Sequence, residues 1–160
     1  MASSEKNLSD VNLSRNLDIS TFRFGIVVSE WNEQVTESLY SGAFQTLIGA
    51  GADRAKIERI NVPGTFELSL GSHWMAERAD IDAVICLGCV IQGETRHFDF
   101  ICNAVADGIT NVGLKFSKPA IFGVLTTDNM KQALDRAGGK HGNKGDEAAA
   151  TAIKMLAIKA

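Results

Sequence analysis

No apolar run in this sequence approaches the roughly 20 residues that a helix needs to cross a bilayer, so no membrane span is expected. The N-terminus has neither the basic stretch nor the apolar stretch of a secretory signal. Cysteine is scarce: three residues, an odd number without disulfide-scaffold spacing, which suits a reducing compartment. Together these absences set the expectation of a cytoplasmic protein. Positive charge is not in excess either. Against 19 Asp and Glu stand 16 Lys and Arg, a formal charge of −3, and nothing draws the chain to nucleic acid. There is no G-x-G-x-x-G and no Walker loop, so nucleotide cofactors lack direct support. No persuasive nucleophilic triad, metal-ligand cluster, internal repeat or low-complexity tract occurs.

What is present suits one domain. The 160 residues allow a real core but not two, and 45% hydrophobic against 22% charged residues is a globular balance. Residues 1–20 are polar, rich in Ser, Asn and Asp, and are expected to form a mobile arm ahead of a domain over 21–160. Arg23 to Ser29 reads as a buried strand. Asn32 is expected to cap a helix carrying Val35, Leu39, Tyr40, Ala43, Phe44, Leu47 and Ile48, which Gly49 and Gly51 stop. Ile57, Ile60 and Val62 mark a second strand, closed by Pro63-Gly64. A helix is expected from about Phe66 to Ala79, with Leu70 and Trp74 on one face. Ala83 to Ile91 is apolar on both faces, as in a covered parallel sheet. The stripe Phe98, Ile101, Val105, Ile109, Val112, Phe116 predicts the clearest helix. Pro119 opens a fourth strand through Leu125, and Thr127 is expected to cap a helix including Met130, Ala133, Leu134 and Ala137. A polar loop from Gly138 to Gly145 leads to a last, Ala-rich helix. Strands alternating with helices predict an α/β fold, a parallel sheet with helices on both faces.

Open α/β sheets bind ligands beyond the carboxyl ends of their strands. Those ends here carry Trp31-Asn32, Pro63 to Glu67, Gly93 to His97, and Thr126-Thr127-Asp128. Any one could be a simple turn; together they point to a ligand site on that edge. Gly93-Glu94-Thr95 lies between a buried strand and a strong helix, so it is either an anion-binding set of free N–H groups or an ordinary βα turn. His97 is placed either to move protons near neutral pH or merely to cap the helix. The Gly138-to-Gly145 loop, with Lys140, Lys144 and nearby Arg136, either approaches a ligand closely or is a solvated connection. Trp31 and Phe66 either stack on a planar ring or belong to the core. Cys86 and Cys89 form a C-x-x-C pair, but three apart in a strand they face opposite sides roughly 10 Å apart, out of disulfide reach. They are read as buried structural residues. His73 is placed on a helix surface.

From about Phe22 onward the chain resembles the lumazine synthase family. The matching segments are VVSEWNEQVTESLYSGA, VPGTFELSLG, LGCVIQGETRHFDFICNAVADGI, IFGVLTTDN and QALDRAGGKHGNKGDEAA, five in the right order with matching gaps. The resemblance implies a flavodoxin-like three-layer sandwich with a four-stranded parallel sheet and active sites shared between neighbouring subunits. It places Trp31 as the stacking aromatic, where many relatives have Phe, and Asn32 beside the ring. Thr65, Phe66 and Glu67 fall in the ring- and ribityl-binding segment, with Glu67 accepting from ribityl hydroxyls. Gly93, Glu94 and Thr95 fall in the phosphate loop, and His97 at the proton-transfer position. Phe122, Arg136 and Lys144 match residues of the adjacent subunit, Arg136 for phosphate and the other two for the pyrimidine. Gln92 stands where relatives often have a basic residue, and Thr65 where alanine or serine is commoner.

The implied reaction joins 5-amino-6-(D-ribitylamino)uracil and 3,4-dihydroxy-2-butanone 4-phosphate, giving 6,7-dimethyl-8-ribityllumazine, phosphate and water. Its nucleophile is a substrate amine and no redox step occurs, so no cofactor or metal is expected. The implied partners are small-molecule substrates and copies of the chain, in pentamers and a shell of about sixty subunits, with riboflavin synthase a candidate guest. The competing classes are a flavin-binding module, a structural shell protein, and a riboflavin synthase joining two lumazines.

Overall fold

The structure is a computed structural model that describes residues 17–159. Four apolar runs form its sheet: β1 (Phe24–Ser29), β2 (Ile57–Val62), β3 (Ala83–Ile91) and β4 (Ala120–Thr127). All pairings are parallel and the order is β2-β1-β3-β4. The two inner strands are the most continuously apolar: all of β1 and the first seven residues of β3 are buried. Such runs need cover on both faces. Helices α1 (Glu33–Gly49) and α5 (Lys144–Lys159) supply it on one side, where Leu39, Ala43, Leu47, Ala149 and Ile153 meet Ile26, Val28, Ile85 and Leu87. Helices α2 (Leu68–Glu77) and α3 (His97–Phe116) supply it on the other, where Leu68, Met75, Val105 and Ile109 meet Val27, Val84 and Cys86. This is the expected flavodoxin-like three-layer sandwich. Among the described residues, no helix is long and apolar enough to cross a membrane.

Several local expectations change. Of the stretch 1–20 expected as an arm, the described end is packed: Ile19 is 2% exposed in the core, Leu17 packs against the same cluster, and Lys56 Nζ donates to the Ser20 carbonyl at 3.0 Å. Residues 1–16 of that arm lie outside the described residues. Leu70 and Trp74 share a face of α2, but it is the outer one. The inner face carries Leu68, Gly71, Ser72, Met75 and Ala76, because α2 lies so close to the sheet that a Cβ on Gly71 would come within 2.8 Å of Val27. Thr127 ends β4 instead of capping. The next helix, α4 (Met130–Leu134), is capped by Asn129, whose side chain accepts from Gln132 N at 3.0 Å. Ala137 has left that helix. It begins β5 (Ala137–Gly139), which pairs antiparallel with β6 (Gly142–Asn143), so the expected Gly-Lys loop is a small hairpin. His73 is half-buried, its ring edge-on to Phe116 at 4.8 Å.

The hairpin delivers α5 tightly onto α1. A Cβ on Gly145 would overlap the carbonyl of Leu39. Gly145→Ala is therefore expected to cost about 1–3 kcal/mol, as overpacking does. A lowered denaturation midpoint checks this; an unchanged midpoint would show that the α1–α5 approach is loose.

Cys86 and Cys89 lie on opposite faces of the sheet, in the two separate clusters, and both are free. Burial pushes the Cys86 thiol up to about 12 and that of Cys89 up to about 11. Thiolate is the reactive form. At pH 8 a thiol reagent should therefore label at most Cys102 in the folded protein and all three after unfolding. Rapid labelling of Cys86 or Cys89 in the folded state would contradict their burial.

Candidate active site

The sheet opens where its strand order reverses. Pairing of β1 with β3 ends at Val28 and Leu87, yet β1 stays with β2 through Ser29 and Val62. Beyond that point Glu30 N donates to Val62 O at 2.8 Å and Trp31 N to Pro63 O at 3.2 Å. The chain leaving β1 thus follows β2 and parts from β3. A cavity of about 330 Å³ lies there, walled by Trp31, Asn32, Thr65, Phe66, Glu67 and His97 with Cys89 to Ile91 and Ile101 behind them.

Six sequence-derived candidates therefore meet in one place. Trp31 is 72% exposed and Phe66 53%, which removes the core reading for both aromatics. Glu67 precedes α2 and makes no side-chain cap to it, so its carboxylate is not spent on the helix. His97 is the first residue of α3 and is exposed. Thr65 is buried, its hydroxyl donating to the Cys89 carbonyl at 3.3 Å. Asn32 departs from expectation. It stands at the start of α1 in the left-handed region (φ 64°, ψ 44°) and makes no side-chain cap; its Nδ2 donates to Cys89 O at 3.0 Å.

Gly93, Glu94 and Thr95 form the exposed turn between β3 and α3 and do not wall the cavity. Thr95 Oγ1 accepts from His97 N at 3.4 Å, which helps start α3. A Cβ at Gly93 would meet nothing within 4 Å. The turn is open to a ligand, but its own packing does not require glycine.

Phe122, Arg136 and Lys144 gather elsewhere. They line a groove of about 470 Å³ along β4 and α5, at the edge of the sheet away from β2, and no residue lines both spaces. One chain therefore does not bring the two candidate sets together. Lys144 N bonds Arg136 O at 2.9 Å, which ties hairpin to helix start, and Arg136 Nη1 donates to Gln132 O at 3.0 Å. The sequence reading missed Glu147. Its carboxylate, 15% exposed, pairs with Lys144 Nζ at 2.5 Å inside the groove. The Lys-to-Glu spacing of three at a helix start was the available signal. Lys144 otherwise sits at the positive end of α5, and Glu147 offsets that repulsion.

This is the architecture of a doubly wound α/β protein with an aromatic-walled cavity at the switch point of its sheet. Residues 21–160 match the model of the 6,7-dimethyl-8-ribityllumazine synthase family. A protein of that name from Cytophaga hutchinsonii is 67% identical over 157 residues, covering 98% of each chain. Others of the same name, from Flavobacterium johnsoniae and Parabacteroides distasonis, are 52% and 50% identical and cover 99% and 100% of this chain and 84% and 100% of their own. The chain belongs to the 6,7-dimethyl-8-ribityllumazine synthase family.

Proposed function

We propose that the protein condenses 5-amino-6-(D-ribitylamino)uracil with 3,4-dihydroxy-2-butanone 4-phosphate to form 6,7-dimethyl-8-ribityllumazine, a step of riboflavin biosynthesis in the cytoplasm. The observation that carries this reading is that a member of this family brings Trp31, Phe66, Glu67 and His97 to one cavity at the switch point. Trp31 and Phe66 offer flat faces for the pyrimidine. Glu67 accepts hydrogen bonds from the ribityl hydroxyls. The 5-amino group adds to the ketone and water leaves as the imine forms. Loss of the proton on the hydroxyl-bearing carbon then expels phosphate and leaves an enol. The enol takes up a proton at its terminal carbon and loses its hydroxyl proton to become a methyl ketone, and the ribitylamino nitrogen closes the ring on that carbonyl with loss of a second water. Each stage moves a proton at the substrate, which is the work of His97 at the cavity mouth. The nucleophile belongs to the substrate and no step is a redox change, so the reading asks for no cofactor. The Gly93-to-Thr95 amides and Arg136 are assigned to the phosphate, and Lys144 and Phe122 to the pyrimidine.

The separation of the two residue groups supports a site completed by a neighbour. A heterologous contact of the β4 groove with the next copy's cavity would close a ring. The chain is taken to form pentamers, and about sixty subunits a hollow icosahedral shell. The hairpin running directly into α5 leaves no insertion there to obstruct packing of pentamers. Riboflavin synthase, which consumes the lumazine, is the candidate guest. Light scattering is expected to give a particle of that size. A monomer would defeat the shared site, whereas a lone pentamer or decamer would defeat only the shell.

Incubation with both substrates should give lumazine by absorbance and mass, with nothing formed when either is omitted. Tight flavin binding without lumazine would mark a flavin carrier. Assembly with neither would mark a structural shell. Riboflavin formed from lumazine alone would mark a riboflavin synthase.

A further inference from the structure

Three chain segments meet at one buried atom beneath the cavity, the carbonyl oxygen of Cys89. Cys89 is 1% exposed, and β1 has already parted from β3 at this level. A buried carbonyl must find donors. Two side chains supply them: Asn32 Nδ2 at 3.0 Å from the turn after β1, and Thr65 Oγ1 at 3.3 Å from the turn after β2. With the Thr65 proton spent on Cys89, the Ser29 hydroxyl donates to Thr65 Oγ1 at 3.5 Å.

Asn32 is one of two non-glycine residues with positive φ among those described, the other being Ser117 at the end of α3. Left-handed backbone crowds Cβ against the following carbonyl, and asparagine tolerates it where its amide bonds backbone. Here the amide reaches across to β3 while the backbone carbonyl takes the first α1 donors, Val35 N at 2.8 Å and Thr36 N at 3.1 Å. Trp31, the preceding residue, is largely exposed, so its ring is held mainly by the turn that carries it.

We propose that Asn32 and Thr65 are positioning residues: they clamp the Trp31 turn to the Cys89 carbonyl and hold the aromatic wall of the cavity ready for a ring, and neither side chain serves as a ligand. The kinetic half of this proposal rests on the function proposed above; the structural half does not. Asn32→Gly separates the effects, because glycine adopts the left-handed turn freely and lacks the amide. Asn32→Asp keeps the shape but turns an acceptor toward an acceptor. Thr65→Val removes the hydroxyl, and Thr65→Ser retains it.

The chain has two tryptophans, and a Trp74→Phe background leaves Trp31 as the sole reporter. Time-resolved fluorescence anisotropy of the assembled, substrate-free protein is the test. Fast local motion of Trp31 should grow in Asn32→Gly, Asn32→Asp and Thr65→Val and stay at the parent level in Thr65→Ser. In Asn32→Gly, Asn32→Asp and Thr65→Val, but not in Thr65→Ser, KM for the pyrimidine should rise about tenfold with a smaller change in kcat. If Trp31 stays as rigid in Asn32→Gly as in the parent, the clamp is refuted; a raised KM in that case makes Asn32 a direct ligand. Should Asn32→Gly fail to assemble, Thr65→Val against Thr65→Ser decides the same question. A protein that forms no lumazine would defeat the functional reading while leaving the anisotropy result decisive for the clamp.

Discussion

Arg136→Ala should raise KM for the sugar phosphate about ten- to hundredfold, the loss of a charge-assisted bond worth roughly 1.5–3 kcal/mol. Pyrimidine KM should change little. Phosphate is both the handle that holds the butanone and the group that leaves. A guanidinium matches two of its oxygens with a planar fork, whereas an ammonium offers one compact charge. Arg136→Lys should therefore fall between wild type and alanine. The geometry suits this role: Arg136 Nη1 is anchored on Gln132 O, and the side chain lines the groove beside Lys144. If Arg136 only bonded its own helix, alanine would shift stability by a few tenths of a kcal/mol and leave both KM values alone. Steady-state kinetics with each substrate varied in turn separates the two outcomes.

His97→Ala should lower kcat about a hundredfold, near the low end for a positioned acid or base. The low end is expected because the substrates carry their own nucleophile and the cavity still holds them in place. Assembly should survive, since His97 is exposed and α3 starts through the Thr95 hydroxyl and the backbone, not through the imidazole. KM values should stay within a few-fold, because Trp31, Phe66 and Glu67 remain. An assembled variant with wild-type kcat across the pH range would remove His97 from the chemistry.

The fold was largely legible from pattern because its central elements carry redundant signals. The run Ala83 to Ile91 matches β3 at both ends, since burial on both faces leaves no polar residue until the strand emerges. The spacing through Val105, Ile109 and Val112 marks the buried stripe of α3. Where a residue's partner lies far along the chain, local pattern failed. Asn32 looked like a cap because caps are the common use of asparagine before a helix; its real acceptor belongs to a strand 57 residues away. Leu70 and Trp74 announced a stripe, but spacing cannot say which side of α2 meets the sheet. The hairpin was hidden by its glycines, two of which, Gly138 and Gly142, take positive φ. Site residues were recognisable as types at strand ends. That they split between two places on one chain followed only from the strand order, which puts β4 at the edge and β1 inside.

That split makes one experiment decisive for the claim that a lumazine-forming site is built from two subunits. Arg136→Ala and Trp31→Ala subunits are dissociated, mixed in equal amounts and reassembled, with mixing verified by mass, and assayed at substrate concentrations near the wild-type KM values or below, where each variant alone is nearly inactive. Random placement around a ring leaves about a quarter of the junctions with an intact Trp31 face against an intact Arg136 face. Lumazine formation should then recover toward about a quarter of the wild-type rate per site. A verified mixture that stays as inactive as its parents would put Trp31 and Arg136 in a single subunit's site and contradict the account.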